Sequence, residues 1–295
     1  MNSDRKRVPP HVFFLTSAVF HYLGPACAVL LFARVDVLGV AWLRIASAGA
    51  VFALWLGPWK LWPLLRARPW TLLALGTVLA VMNTCFYLAL ARLPLGTVGA
   101  IEFAGPVALA ALGVRTRRNL VALALAIGGV YLLTDVRLAG EPLGFVFAFA
   151  NCALFVLYVV IGHRVAADGG GAGVQRLGAA MLVATLVVTP VGLGAALPVF
   201  TNPLLLVAGI AVGVCSSVIP YVCDQLAMAR LPRATFALML SLLPATAVII
   251  GVIVLGQVPT PLEIVGVGLI VAGVATHQDR AATTDETAGA HEAAS

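Results

Sequence analysis

Glu102 has more chemistry to offer than any other side chain in this sequence. It lies seven residues inside an apolar run that begins at Leu95, where a carboxylate has little water to solvate it. Pro106 follows four residues later and has no N–H to donate to the carbonyl of Glu102. One position therefore offers a carboxylate and a freed carbonyl together, a pairing suited to taking up a proton or a cation. A charge at the centre of a bilayer costs about 2.5–3.5 kcal/mol on insertion scales, so such a residue is a functional candidate by default. The competing reading is a protonated or paired Glu that only locks helices.

Other polar residues reach a matching position. Arg44 lies seven residues inside its own apolar run, so at about 1.5 Å per residue it and Glu102 both sit roughly 10 Å deep. Asn83 and Tyr87 approach that level with an i, i+4 spacing that puts them on one helix face. A set of Arg, Glu, Asn and Tyr at one depth could grip a zwitterion, the Arg meeting a carboxylate and the Glu an ammonium. Against this, Arg44 could simply neutralise Glu102 or extend to the interface. His21 stands four residues before Pro25, as Glu102 does before Pro106. It could relay protons, although a lone His in a helix is as well read as packing. Asn151 is either a polar lining residue or interhelical glue. Tyr221 and Pro244, aligned with Asn83 and Pro106 in the repeat described below, complete the candidate set.

Several features carry less. Thr260-Pro261-Leu262-Glu263 reads as a capping box with Pro at the first helical position. Asp168-Gly169-Gly170-Gly171 lacks the spacing of a phosphate-binding loop. Cys27, Cys85, Cys152, Cys215 and Cys223 lie in apolar runs without metal-ligand spacing and read as packing residues.

The elements that must position these groups follow from composition. The chain is 61% hydrophobic and 10% charged, with a mean hydropathy of +1.04, whereas soluble domains carry about 25% charged residues. Ten apolar stretches are predicted at His11–Phe32, Val37–Gly57, Trp70–Ala91, Leu95–Gly113, Leu120–Thr134, Leu143–Ile161, Val174–Leu197, Pro203–Met228, Arg233–Leu255 and Leu262–Thr276. Each is near the 20 or so residues that cross a hydrocarbon core. The first has no small-residue cleavage site after it and reads as a retained span. Fourteen of the 18 Lys and Arg residues fall on the side of the N-terminus, which makes both termini cytoplasmic. The net charge of +6 is scattered between apolar runs and is no nucleic-acid footprint.

The sequence also repeats itself. Ala91-Arg92-Leu93-Pro94 recurs as Ala229-Arg230-Leu231-Pro232, and Pro106 and Gly113 recur as Pro244 and Gly251, each 138 residues on. Over Asn83–Gly113 against Tyr221–Gly251, 10 of 31 positions are identical. A repeat of five spans is odd, so the second copy enters the membrane from the opposite face. Inverted repeats are the mark of secondary transporters.

The runs Met82-Asn83 through Phe86-Tyr87, Leu93-Pro94-Leu95-Gly96 and Glu102-Phe103-Ala104-Gly105-Pro106 resemble the third and fourth spans of the threonine/homoserine exporters, members of the EamA-type drug/metabolite transporter superfamily. Leu43-Arg44, Ile219-Pro220-Tyr221, Arg230-Leu231-Pro232, Thr235-Phe236, Leu255-Gly256 and Thr260-Pro261 agree with it. The resemblance implies ten helices, no bound ATP or other cofactor, and ion-driven export of amino acids or similar metabolites, with Glu102, Arg44 and Asn83 carried over. Two departures stand out. The family usually has Glu where this chain has Leu243 before Pro244, and Glu where it has Gln257.

The expectation is an all-α membrane protein of ten transmembrane helices. It has a cytoplasmic segment over 1–10, one EamA-type five-helix repeat over 11–135, a second over 142–277, and a disordered cytoplasmic tail over 278–295. Its function would be proton-coupled efflux of an amino acid or small polar metabolite through the cytoplasmic membrane. The alternative is efflux of lipophilic or cationic drug-like cargo, which the aromatics Phe86, Phe103, Tyr158 and Tyr221 would suit. Expected partners are the small-molecule substrate, the proton, the bilayer and, as an option, a second copy of the chain, with no nucleic acid. An intramembrane enzyme would need a His/Asp/Ser or metal constellation that the spans do not display.

Overall fold

The computed structural model describes residues 10–113, 116–137, 141–166, 171–228 and 243–276. The terminal segments, the Asp168–Gly170 stretch and the second-copy motif Ala229–Pro232 with Thr235-Phe236 lie outside them. Every element described is helical: α1 (Pro10–Leu31), α2 (Val37–Leu56), α3 (Pro58–Ala67), α4 (Pro69–Leu90), α5 (Leu95–Gly113), α6 (Arg117–Arg137), α7 (Pro142–Ala166) and α8 (Gly171–Ala196). A 3₁₀ turn (Leu197–Thr201) leads to α9 (Pro203–Gly213), a π-helical turn (Val214–Val218) and α10 (Ile219–Met228). The set closes with α11 (Leu243–Leu255) and α12 (Pro261–Thr276).

Six of these stretches are long and apolar enough to cross a membrane, and three shorter apolar ones accompany them. Their outward faces carry Leu54, Leu186, Leu204 and Ile253, each more than two-thirds exposed. Hydrocarbon is the solvent that accepts such a surface, and the chain is an all-α multi-pass membrane protein. The sequence anticipated these helices except α3, a ten-residue helix where a plain connection was expected.

Helix starts and stops follow local chemistry. The Asp36 carboxylate accepts from the Leu38 amide at 2.8 Å to open α2, and Gly57 ends it at φ 81°, a conformation glycine adopts without strain. Asn202 caps α9 through the amides of Leu204 and Leu205. The Glu263 carboxylate accepts from the Thr260 amide at 2.7 Å, while the Thr260 hydroxyl accepts from the Glu263 amide at 3.3 Å. That is the reciprocal capping box the sequence spelled out.

The chain forms two compact units, one of Met1–Ala80 with Ile161–Pro232, the other of Val81–Val160 with Arg233–Ser295. Each draws on both halves of the sequence. In the first unit, α2 packs along α8, and α1 and α2 both meet the α9–π–α10 rod. The Trp42 indole donates to the Thr189 hydroxyl at 2.9 Å across the α2–α8 seam. In the second, α6 packs along α12 and α5 against α11.

Small residues set the α6–α12 distance, as they do wherever membrane helices lack a hydrophobic drive to associate. A Cβ on Gly129 would stand 2.5 Å from the Gly266 carbonyl oxygen, and one on Gly273 would stand 2.8 Å from that of Ala122. Both obstacles are backbone and cannot rotate away. Gly129→Leu should therefore lower unfolding stability in mixed micelles by about 1–3 kcal/mol. Gly268→Ala, with open space around it, should be neutral or slightly stabilising. Equal effects of the two would contradict this packing.

Candidate functional site

The polar residues singled out from sequence are distributed over both units. Glu102, Asn83, Tyr87 and Asn151 belong to the second unit, and Arg44, His21 and Tyr221 to the first.

In the second unit Glu102 is 5% exposed and Asn151 fully buried. Their contact follows from how closely α5 and α7 approach. A Cβ on Gly105, one turn beyond Glu102, would meet Cys152 Sγ at 2.9 Å and Val156 at 2.8 Å. With the backbones that near, Asn151 Nδ2 donates to Glu102 Oε1 at 3.1 Å. Asn151 Oδ1 is buried with no donor among the described residues, which leaves the amide one acceptor for an arriving N–H or O–H. Asn83 and Tyr87 are buried on α4. Next in sequence to Glu102, the Phe103 ring meets Phe155 edge-on at 5.8 Å, and Phe155 stacks on Tyr158 at 5.9 Å.

In the first unit Arg44 is 5% exposed. Its Nε donates to the Ser217 hydroxyl at 3.2 Å, and its Nη2 donates to the Ser216 carbonyl at 3.3 Å. Both acceptors sit in the π-helical turn Val214–Val218, and such turns recur at functional sites. Pro220 explains why the Ser216 carbonyl is open to an outside donor, since it is the residue whose N–H an α-helix would have aimed there. The Pro220 carbonyl in turn accepts from the Ser17 hydroxyl of α1 at 3.3 Å. The Ser216 hydroxyl is buried with no partner among the described residues. His21 contacts the ring of buried Tyr22 edge-on at 5.1 Å and lies within electrostatic range of Arg44.

Sequence reasoning missed Ser216, Ser217 and Tyr22. The signal for Ser216 was present: it precedes Pro220 by four residues, as His21 precedes Pro25 and Glu102 precedes Pro106. Among those prolines, Pro25 is buried within a helix that continues to Leu31, and α5 runs through position 106 to Gly113. Pro244 is buried at the second residue of α11, and the turn before it lies outside the described residues. Tyr221 is half-buried on α10. Cys27, Cys85, Cys152, Cys215 and Cys223 form no disulfide among the described residues.

Gln257 has a role that sequence did not disclose. Its side-chain oxygen accepts from the Leu95 amide at 2.9 Å, capping the first orphan N–H of the helix that carries Glu102. Leu243, the other departure noted above, is buried at the start of α11.

Residues 142–276 match the EamA-like transporter family. The threonine/homoserine exporter RhtA of Escherichia coli strain K12 is 32% identical over 270 residues, 89% of each chain. RhtA of Salmonella typhimurium strain LT2 is 32% identical over 256 residues, 84% of each chain. A solved crystal structure with 18% identity superposes at a TM-score of 0.60, covering 90% of this chain and 95% of that one, and shows a shared fold.

The Glu102–Asn151 contact generates a direct expectation. A double-mutant cycle of Asn151→Leu and Glu102→Leu, read by unfolding in mixed micelles, should give a coupling of about 0.5–2 kcal/mol, the range for hydrogen bonds between membrane helices. Strict additivity of the two substitutions would contradict the bond.

Proposed function

The chain belongs to the EamA-like transporter family, and from that premise we propose that it exports amino acids of the threonine and homoserine class, or small polar metabolites of similar size. The reading places it in the cytoplasmic membrane with both termini inside. It gives the chain ten spans in two inverted five-helix halves, 11–135 and 142–277. Three features support the halves: the internal repeat, the family match over 142–276, and the packing of α2 with α8, α5 with α11 and α6 with α12. In an inverted pair of five-span repeats, these partners are equivalent helices running in opposite directions.

The observation that carries the mechanism is a buried carboxylate held at 3.1 Å by a buried amide that keeps a spare acceptor. The ionised Glu102 carboxylate can take up either a proton, which makes it neutral, or a cationic amine, and these two occupants exclude each other. That exclusion is the chemical basis of antiport. Proton uptake from outside releases cargo, and cargo from inside releases the proton, while the halves alternate access. Asn151 holds Glu102 in one rotamer through both states. In the first unit, Arg44 with Ser216 and Ser217 supplies the cation and hydroxyls that suit a carboxylate.

A second reading has one specific observation in its favour. The Phe103–Phe155–Tyr158 aromatic row in the same unit as Glu102 suits lipophilic cations as well as ammonium groups. Cells overproducing the protein should gain resistance to toxic amino-acid analogues on the first reading and to lipophilic cations on the second.

The coupling role is tested in vesicles. Glu102→Gln keeps the side-chain shape and an acceptor for Asn151 but cannot exchange a proton. It should insert normally and lose gradient-driven efflux of labelled threonine or homoserine by about 100-fold or more, the scale of a lost proton-transfer group. Full gradient-driven transport by this variant would remove Glu102 from the mechanism.

A further inference from the structure

Helix α3 and the start of α4 carry features that transport does not use. On α3, Leu61 is buried in a small core with Leu72 and Ala179, and Leu64 and Leu65 pack against that core. The opposite face presents Trp59 and Trp62, and Trp70 opens α4. These three are 75%, 58% and 80% exposed. Exposed indoles in a membrane protein mark headgroup level. Around them stand Lys60, Arg66 and Arg68, with Arg66 lying 5.0 Å from the centroid of the Trp62 ring. Ten residues span only about 15 Å, so α3 is an interfacial helix and not a crossing one.

Behind it lies a cavity of about 60 Å³, lined by Leu64, Ala67, Arg68, Thr71, Leu72 and Arg176. The Arg68 guanidinium from the α3–α4 link, the Arg176 guanidinium from α8 and the Thr71 hydroxyl from α4 supply its polar lining. Arg forks match the oxygens of a phosphate in pairs. The apolar part of the lining and the flanking indoles suit a phosphate that arrives with acyl chains attached.

We propose that Arg68, Arg176 and Thr71 form a site for the phosphate of an anionic phospholipid, with α3 as its interfacial platform. All five tryptophans, Trp42, Trp55, Trp59, Trp62 and Trp70, are in the unit that holds the site, so fluorescence reports occupancy. The test uses the full chain reconstituted in phosphatidylcholine with increasing brominated phosphatidylglycerol, compared with brominated phosphatidylcholine. Quenching should reach its midpoint at a several-fold lower mole fraction for the anionic lipid, at roughly five-fold for each arginine engaged. Arg68→Ala with Arg176→Ala should abolish that preference, whereas Lys60→Ala should leave most of it. Equal midpoints for the two lipids in the unaltered protein would overturn the site, and that comparison needs no variant. Inorganic phosphate at constant ionic strength should not reverse the quenching. Reversal would mean that free phosphate, and not a lipid, is the occupant. The readout is independent of transport, so a failed lipid site and a failed efflux reading are told apart.

Discussion

In hydrocarbon a polar group has no water to fall back on, and each one must find its partner within the protein. Prolines sharpen that constraint here. Pro25, Pro106 and Pro220 each withhold an N–H from the carbonyl four residues earlier, at His21, Glu102 and Ser216. At Ser216 the structure shows what takes its place: the Arg44 guanidinium, reaching over from α2. That exchange of donors ties α2 to the π-helical turn and gives the buried Arg44 guanidinium two acceptors. The same logic puts a freed carbonyl beside the Glu102 carboxylate, whose side chain is met by Asn151.

Close backbone approach makes these contacts attainable. A Cβ on Gly24 would lie 2.7 Å from the Ser216 amide nitrogen, and one on Gly213 would lie 2.7 Å from the Arg44 carbonyl oxygen. Bare backbone at those two places lets α1 and α2 close on the π turn. Gly105 does the same for α5 and α7. The polar side chains are short, so about one methyl group of extra separation would put their partners beyond hydrogen-bond reach.

Much of this was legible in the sequence, and the reasons differ by residue. The long spans could be read because apolar length is a strong signal, and α1, α2 and α4 end within a residue or two of their expected limits. The capping box at Thr260 and Glu263 was legible because it is local chemistry across four residues. Gln257 was opaque because the amide it caps is 162 residues away in sequence. The companions of Arg44 were opaque for a related reason. Depth along a span is readable, but helices that are apolar all round do not reveal which neighbours they face. Arg44 and Glu102 share a depth in that reading and belong to different units in the fold. Helix α3 was missed because tryptophan, lysine and proline in a short stretch look like a connection until its leucines are seen to pack.

In the function we propose, proton and cargo compete for Glu102. The most direct measurement is proton release from purified protein in weakly buffered detergent when threonine or homoserine is added. Bound amino acid should displace a proton in the unaltered protein and none in Glu102→Gln. Saturable binding to the unaltered protein with no proton released, across the pH range where the carboxyl is protonated, would contradict it.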